Sequence, residues 1–370
     1  MQRLLLKEGK QVCVVDRASR YDVLKNNLLA HPTYVEYVPF DLASGDESSG
    51  RRINTNGLNG GMGNASNELR RAVLGADTVY SMVTPDVQQG TVRDMKRTNV
   101  EGVMRIIDAC NDAGVSKLVY MSSIGVTGQH IPSVEQTEEH PLPDHDDYDN
   151  AYDLTKRLGE DAVLEASSSN LRTCAIRAGG IIAGANDYIF RRISDTPGVV
   201  YAVDRSPMDV VSAKDLSRAL FKASKKLGES DSAVAGRSLF VTKCRSNSPV
   251  SLSEMYETLG ELLGWRVVKV PSPVLSIVQA GLWSMETAGK FMGNIEDEDS
   301  KVALPMQKMI QTGRCQQSFD NSLARSLLDF EPEESWNDAL QWVARDIQLR
   351  NPDLFEAKSV SRGVLQRVSV

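Results

Sequence analysis

The sequence predicts an α/β protein built on a doubly wound parallel sheet, and three observations predict it. Short apolar runs alternate with helical patterns throughout the first half of the chain. The helical stretches carry one apolar face, as in Val103, Ile106, Ile107 and Cys110 at the spacing of an α-helix. Each apolar run closes on a polar or glycine position: Asp16, Asp41, Thr84, Ser123 and Gly179. In a parallel sheet these positions share the edge at the carboxyl ends of the strands, where ligands bind.

Residues 4–9 read as the end of a helix stopped by Gly9. Gln11 to Val15 is a strand closed by Asp16, and Val35 to Phe40 a second closed by Asp41. Residues 44–66 are rich in Gly, Ser and Asn without periodicity and read as a long surface loop. Glu68 to Leu74 resumes a helix, Thr78 to Val83 is a strand stopped by Pro85, and Val92 to Ala113 is helical. Lys117 to Met121 is a strand opening onto Ser122 and Ser123, followed by a polar, acidic segment, 129–149. Ala151 to Glu165 is a helix, and Arg172 to Ile176 a strand ended by Gly179 and Gly180.

After residue 185 the alternation loosens. Met208 to Ala223 starts as a strand and becomes a helix, Ser238 to Thr242 is a strand, and Ser253 to Leu263 and Trp336 to Ile347 are helices. The expected division is a sheet domain over 1–185, to which 208–245 return, and a smaller, mostly helical lobe over 186–207 and 246–370.

Composition bounds the function. The chain has 370 residues, 41% hydrophobic and 25% charged, ordinary for a globular protein of about two domains. A net charge of −7 argues against nucleic acid as a partner. Cys13, Cys110, Cys174, Cys244 and Cys315 are scattered without metal-ligand spacing, which fits a reduced, cytoplasmic setting. His140 and His145 lie in an acidic loop and read as solvated, so no metal site is expected. The longest apolar run, Val274 to Met285, is too short for a membrane span.

The residues that carry chemistry are Tyr152 and Lys156, four apart on one face of a helix. A phenol is a poor proton donor or acceptor near neutral pH, and a neighbouring ammonium favours its phenolate. The pair can then exchange a proton with an alcohol or carbonyl oxygen. Alone, this spacing is common by chance. Ser123 at a strand end could hold the reacting oxygen, although turn chemistry explains a serine there equally well. Asn99 sits inside a helix, where an amide has no propensity advantage. The four in this order make the stronger case.

With these residues in place the chain resembles the extended short-chain dehydrogenase/reductases. The matching pieces are Thr98-Asn99-Val100-Glu101-Gly102, Lys117 to Ser123, Tyr152-Asp153-Leu154-Thr155-Lys156 with Gly159-Glu160, and Arg177-Ala178-Gly179-Gly180-Ile181. Val210-Val211 with Asp215, and Phe319-Asp320 through Leu328, extend the likeness over nearly the whole chain. The resemblance implies a Rossmann-like sheet and a nicotinamide cofactor. Tyr152 would be the general acid/base, and Lys156 would lower its pKa and bind the nicotinamide ribose. Ser123, with Ser122 as the alternative, would position the substrate oxygen, and Asn99 would support a relay water. Asp16 would take the adenosine ribose hydroxyls and favour NAD over NADP, a preference weakened by Arg17, and Asp41 and Leu42 would lie near the adenine.

Within the superfamily the chain looks most like the 3β-hydroxysteroid dehydrogenase and sterol-4α-carboxylate 3-dehydrogenase branch. Sugar-nucleotide epimerases and dehydratases usually show Tyr-Gly where this chain reads Val126-Thr127-Gly128, and Tyr-Gly-Pro where it reads Ile182-Ala183-Gly184. Dihydroflavonol-type reductases are near competitors. The resemblance implies a small, apolar substrate. The stretch 273–292 suits such a substrate or a peripheral membrane contact, or else an ordinary core helix. By the same resemblance, helices 92–113 and 150–166 would pair subunits in a homodimer.

Two departures temper this. Members begin with a strand and a Gly-x-x-Gly-x-x-Gly turn, whereas here Met1 falls where the first helix is under way. The sheet is therefore expected to lack its first strand, and a truncated or non-catalytic family member acting as a binding or regulatory protein becomes the rival reading. Gly57, Gly60 and Gly63 have that spacing but follow no buried strand. Ala178 stands where members commonly have proline.

Overall fold

Two parallel ribbons of strand carry the first half of the chain in the computed structural model, which describes residues 1–16, 35–43, 64–85, 90–128, 132–148, 150–203 apart from 186, 188, 192 and 194–196, then 206–245, 249–270 and 316–355. Arg17, the Gly57–Gly60–Gly63 loop and the apolar stretch 273–292 lie outside these residues. A short helix, α1 (Gln2–Lys7), leads through Gly9, at φ 70°, into β1 (Val12–Asp16). β1 pairs in parallel with β2 (Val35–Pro39), with Asp16 opposite Pro39.

The second ribbon is four-stranded and also parallel, in the order β10–β6–β4–β3. Its strands are β3 (Thr78–Ser81), β4 (Lys117–Ser123), β6 (Arg172–Ala178) and β10 (Arg237–Val241). β4 is central because Leu118, Val119 and Tyr120 are fully buried, as a strand covered on both faces must be.

Helices on both faces hold the ribbons in one layer. On one side, α2 (Asn64–Val73) and α4 (Gly102–Ala113) supply Leu69, Val73, Val103, Ile106 and Ile107 to a cluster that also takes Val15 of β1 and Val79 of β3. On the other, α6 (Ala213–Leu227) packs Leu216, Ala219, Leu220 and Ala223 against Val119, Ile176 and Leu239. β1 and β3 thus share a helical cover, yet among the described residues no strand bonds either of their facing edges. The sheet breaks between them.

Local chemistry sets the helix bounds. Thr91 and Asp94 form a reciprocal cap on α3 (Val92–Lys96). α3 runs through a wide π turn, Arg97–Glu101, into α4, which stops at Gly114 in the left-handed region, φ 71°. Asn150 caps α5 (Ala151–Glu165) by accepting from the Asp153 amide at 2.8 Å.

The remaining chain builds a second core. α7 (Leu252–Leu263) and α9 (Trp336–Arg350) contribute Met255, Leu259, Leu340, Val343 and Ile347, packed on Val200 and Ala202 of β8 (Val199–Val203). Short parallel pairs join these helices: β8 with β11 (Arg266–Val270), β7 (Gly180–Ile182) with β9 (Val210–Ser212), and β5 (Ser133–Gln136) with β12 (Gln317–Phe319). β5 lies inside the acidic segment read as irregular from the sequence. A short helix, α8 (Ser322–Leu328), leads on to α9. Among the described residues no helix is long and apolar enough to cross a membrane.

Candidate active site

Because the ribbons are parallel, Asp16, Asp41, Thr84, Ser123 and Gly179 all emerge at carboxyl ends. α5 begins at this edge. Its Asn150 cap fixes the first turn, so Tyr152 projects from a defined place with Lys156 one turn on.

Ser123 ends β4 in extended backbone, φ −148° and ψ 153°. Its Oγ accepts from the Gly125 amide at 3.0 Å, and its hydroxyl lies near enough to the Tyr152 phenol to favour the phenolate. Ser122 points into the protein, 3% exposed, with no hydrogen-bond partner for its Oγ. Of the two serines, Ser123 is the one brought to Tyr152.

Burial dominates the electrostatics. It pushes the Tyr152 phenol up to about 12, opposed by the nearby Ser123 hydroxyl and helped by Asp153. Lys156 is pushed down to about 7 by the same burial, with Glu160 opposing. Its Nζ donates to the Met121 carbonyl at 2.9 Å and the Val83 carbonyl at 3.4 Å, and lies 3.5 Å from the Tyr120 hydroxyl. The ammonium is therefore aimed at the ends of β3 and β4, and burial outweighs the lowering of the Tyr152 pKa that the resemblance implies.

Asn99 lies in the π turn and is fully buried. Its Nδ2 donates to Thr155 Oγ1 at 3.0 Å, while its Oδ1 has no hydrogen-bond partner. π turns often mark functional positions because they displace a side chain from the regular helical path. Gly159 lets the two helices meet: a Cβ there would lie 2.3 Å from the Asn99 carbonyl oxygen and 2.8 Å from the Tyr120 hydroxyl.

Asp16 and Asp41 stand at the ends of β1 and β2, across the sheet's break from β4. Asp41 Oδ1 accepts from the Ala43 amide at 2.9 Å, a turn that shapes the following segment. Leu42 is buried over Gly102, and its carbonyl accepts from Arg105 of α4. His140 accepts from the Thr137 amide at 3.1 Å, and His145 meets Asp161 at 3.2 Å. Among the described residues no group of His, Cys, Asp and Glu could hold a metal ion.

Thr155, Tyr120, Gly159 and the Glu160–Arg177 pair were not assigned roles from sequence. Glu160 carries a signal, since it continues the four-residue step from Tyr152 through Lys156. Tyr120 shows only as an apolar-strand residue.

Residues 20–272 match the 3-beta hydroxysteroid dehydrogenase/isomerase family. The chain belongs to this family. It is 28% identical over 282 residues to 3beta-hydroxysteroid-dehydrogenase/decarboxylase isoform 1 of Arabidopsis thaliana, covering 72% of this chain and 61% of that protein. Isoform 2 of the same plant is 26% identical, with 72% and 47% covered. Sterol-4-alpha-carboxylate 3-dehydrogenase, decarboxylating, of Saccharomyces cerevisiae is 28% identical, with 76% and 79% covered. The chain thus spans only about half to three fifths of the plant relatives' length. Among solved structures, UDP-glucuronic acid 4-epimerase from Bacillus cereus in complex with NAD aligns with a TM-score of 0.61 at 14% identity, covering 94% of each chain. A double mutant of the dTDP-glucose 4,6-dehydratase DesIV from Streptomyces venezuelae, with NAD and DAU bound, aligns at 0.64 and 16% identity, covering 95% and 93%. The family member keeps the fold of these structures despite the break in its sheet.

Proposed function

We propose that this protein is a nicotinamide-nucleotide-dependent dehydrogenase that interconverts a secondary alcohol and a ketone on a sterol- or steroid-like substrate. The observation that carries the reading is the placement of the Ser123 hydroxyl beside the Tyr152 phenol at the carboxyl edge of the sheet, with Lys156 one turn below. The names of the plant and yeast relatives support the substrate class.

The residues present fit the sugar ends of the cofactor. Lys156 and Tyr152 offer an N–H donor and a phenol at the nicotinamide end. Asp16, with the Asp41–Leu42 segment, offers carboxylates and backbone at the adenosine end, and a carboxylate at Asp16 favours NAD over NADP. Among the described residues no glycine turn stands at the break between β1 and β3, where the pyrophosphate would need backbone amides. When bound, the nicotinamide supplies the hydride acceptor. Ser123 would hold the substrate oxygen, and Tyr152, ionised to its phenolate, would take the hydroxyl proton as the carbonyl forms. Desolvation opposes that ionisation unless a cation lies near, so Lys156 must be charged when the base acts.

The test is NADH formation from sterol alcohols by the full chain against Tyr152→Phe, with NADP as the alternative acceptor. A loss of ~10²-fold or more in Tyr152→Phe is expected for removal of a general base. Equal rates would remove Tyr152 from the reaction. A second reading is a binding protein of the same family without cofactor chemistry. Calorimetry with NAD and NADH decides between them: saturable binding excludes the second reading.

A further inference from the structure

Below Lys156 the same face of α5 carries Glu160, and both are sealed from solvent at 1% and 0% exposure. Arg177 of β6 grips the Glu160 carboxylate through Nη2 at 2.6 Å and through Nε at 3.1 and 3.2 Å. Arg177 is itself 4% exposed, lies over the Phe240 ring at 5.3 Å, and faces Glu138. A buried ion pair is a weak source of stability, because removing two ions from water offsets most of their attraction. The pair therefore calls for another account, and its neighbour on α5 supplies one.

The groups within reach of the Lys156 ammonium are otherwise uncharged. They are the Met121 and Val83 carbonyls, the Tyr120 hydroxyl, and the face of the Tyr120 ring at 4.8 Å. The titratable neighbours are Tyr120 of β4 and Tyr152 of α5, both phenols that burial holds above their ordinary value and hence neutral. Glu160 is the charge that acts on Lys156 in favour of its ammonium form. Arg177 fixes where that carboxylate stands.

We propose that Glu160, clamped by Arg177, is a positioning residue whose carboxylate keeps Lys156 in its ammonium form beneath Tyr152. Its catalytic consequence rests on the proposed dehydrogenase reading, but the charge relationship can be read without turnover. Tyr152 needs a cation at hand when it accepts a proton, and a desolvated lysine supplies one only while a counter-charge opposes its burial.

The experiment follows the titration of Lys156 by NMR in the full chain, with lysine labelled at Cε and the signal assigned by its loss in Lys156→Met. Glu160→Gln should lower the midpoint by about one pH unit or more, a tenfold change in the proton equilibrium. Glu160→Asp keeps the charge and should restore the midpoint. If Glu160→Gln does not fold because Arg177 is left uncompensated, the double variant Glu160→Gln/Arg177→Met removes both charges, and its midpoint should fall in the same direction by a smaller amount, because the lost guanidinium no longer opposes the ammonium. An unchanged midpoint in whichever of these folds overturns the proposal. In parallel, the pH of half-maximal rate should move with the midpoint. A shifted midpoint in a chain without turnover upholds the charge relationship and removes the dehydrogenase reading. Turnover with an unshifted midpoint does the reverse.

Discussion

The Asn99 side-chain amide donates to the Thr155 hydroxyl at 3.0 Å, tying the π turn between α3 and α4 to the first turns of α5. Thr155 in turn donates to the Ala151 carbonyl at 2.6 Å, so the link reaches the helix turn that holds Tyr152. Thr155→Val keeps the shape and removes the acceptor. The Asn99 amide would then keep only a long contact to Met95 Sδ at 3.9 Å. A buried donor left in that state costs about 1–3 kcal/mol. Urea unfolding of Thr155→Val should show a loss in that range, and wild-type stability would mean that the amide bond contributes nothing.

Gly159 gives a prediction of opposite sign to helix propensity. In an exposed helix interior, Gly to Ala stabilises by about 1 kcal/mol. Here the new methyl would collide with the Asn99 carbonyl and the Tyr120 hydroxyl, at 2.3 and 2.8 Å. Backbone cannot yield as a flexible side chain can, so α5 must move away from the sheet. Gly159→Ala should destabilise by about 1–3 kcal/mol, as overpacking does. It should also lower the rate, because Tyr152 rides on the same helix. A melting temperature above wild type would overturn the close approach.

Much of this arrangement was legible in the sequence where it depends on local pattern. β4 follows from an apolar run closed by serines, and the Tyr152–Lys156 face from a four-residue step. What escaped depends on contacts between distant segments. The π turn is invisible because the apolar spacing of 92–113 is that of an unbroken helix, while Gly102 against Leu42 and Asn99 against Thr155 accommodate the wider turn. β5 pairs with β12 far along the chain, so its polar residues carry no alternation to read. Lys156 bonds backbone carbonyls, which every residue possesses, and its burial follows from packing rather than from residue type. The break in the sheet, by contrast, was legible: it falls between β1 and β3, where the sequence leads one to expect a missing first strand.

The paired serines separate cleanly. Ser123 accepts from the Gly125 amide and stands beside the Tyr152 phenol, whereas the Ser122 hydroxyl is buried with no partner. Ser123→Ala should lose about 1 kcal/mol of stability with its cap. On the proposed reaction it should also slow turnover by roughly 10²-fold, the scale of a removed oxygen-positioning group. Ser122→Ala removes an unsatisfied buried group and should be neutral or slightly stabilising, with its rate retained. The reverse ordering of rates would assign substrate positioning to Ser122.

Asp209 sets a pH dependence away from Tyr152. It is 1% exposed and sits between β9 and the ends of β10 and β12. Its Oδ2 accepts from the Phe319 amide at 2.8 Å and the Thr242 hydroxyl at 3.2 Å, and its Oδ1 has no partner. Burial raises its pKa to about 7, against these hydrogen bonds and the nearby Lys243, with Glu135 adding to the rise. The folded state therefore holds the proton more tightly than the unfolded chain. The resulting stability is complete below the unfolded carboxyl value near ~4 and is lost as pH rises through about 7. Between these limits the loss approaches ~1.4 kcal/mol per pH unit for a single proton. Asp209→Asn keeps an oxygen for Phe319 and Thr242 and carries no charge at any pH. Its unfolding free energy should therefore vary less between pH 5 and 8, flanking the buried carboxyl's value of about 7, and should exceed that of wild type at the upper end. Parallel pH profiles for the two proteins would show that Asp209 does not hold a proton on folding.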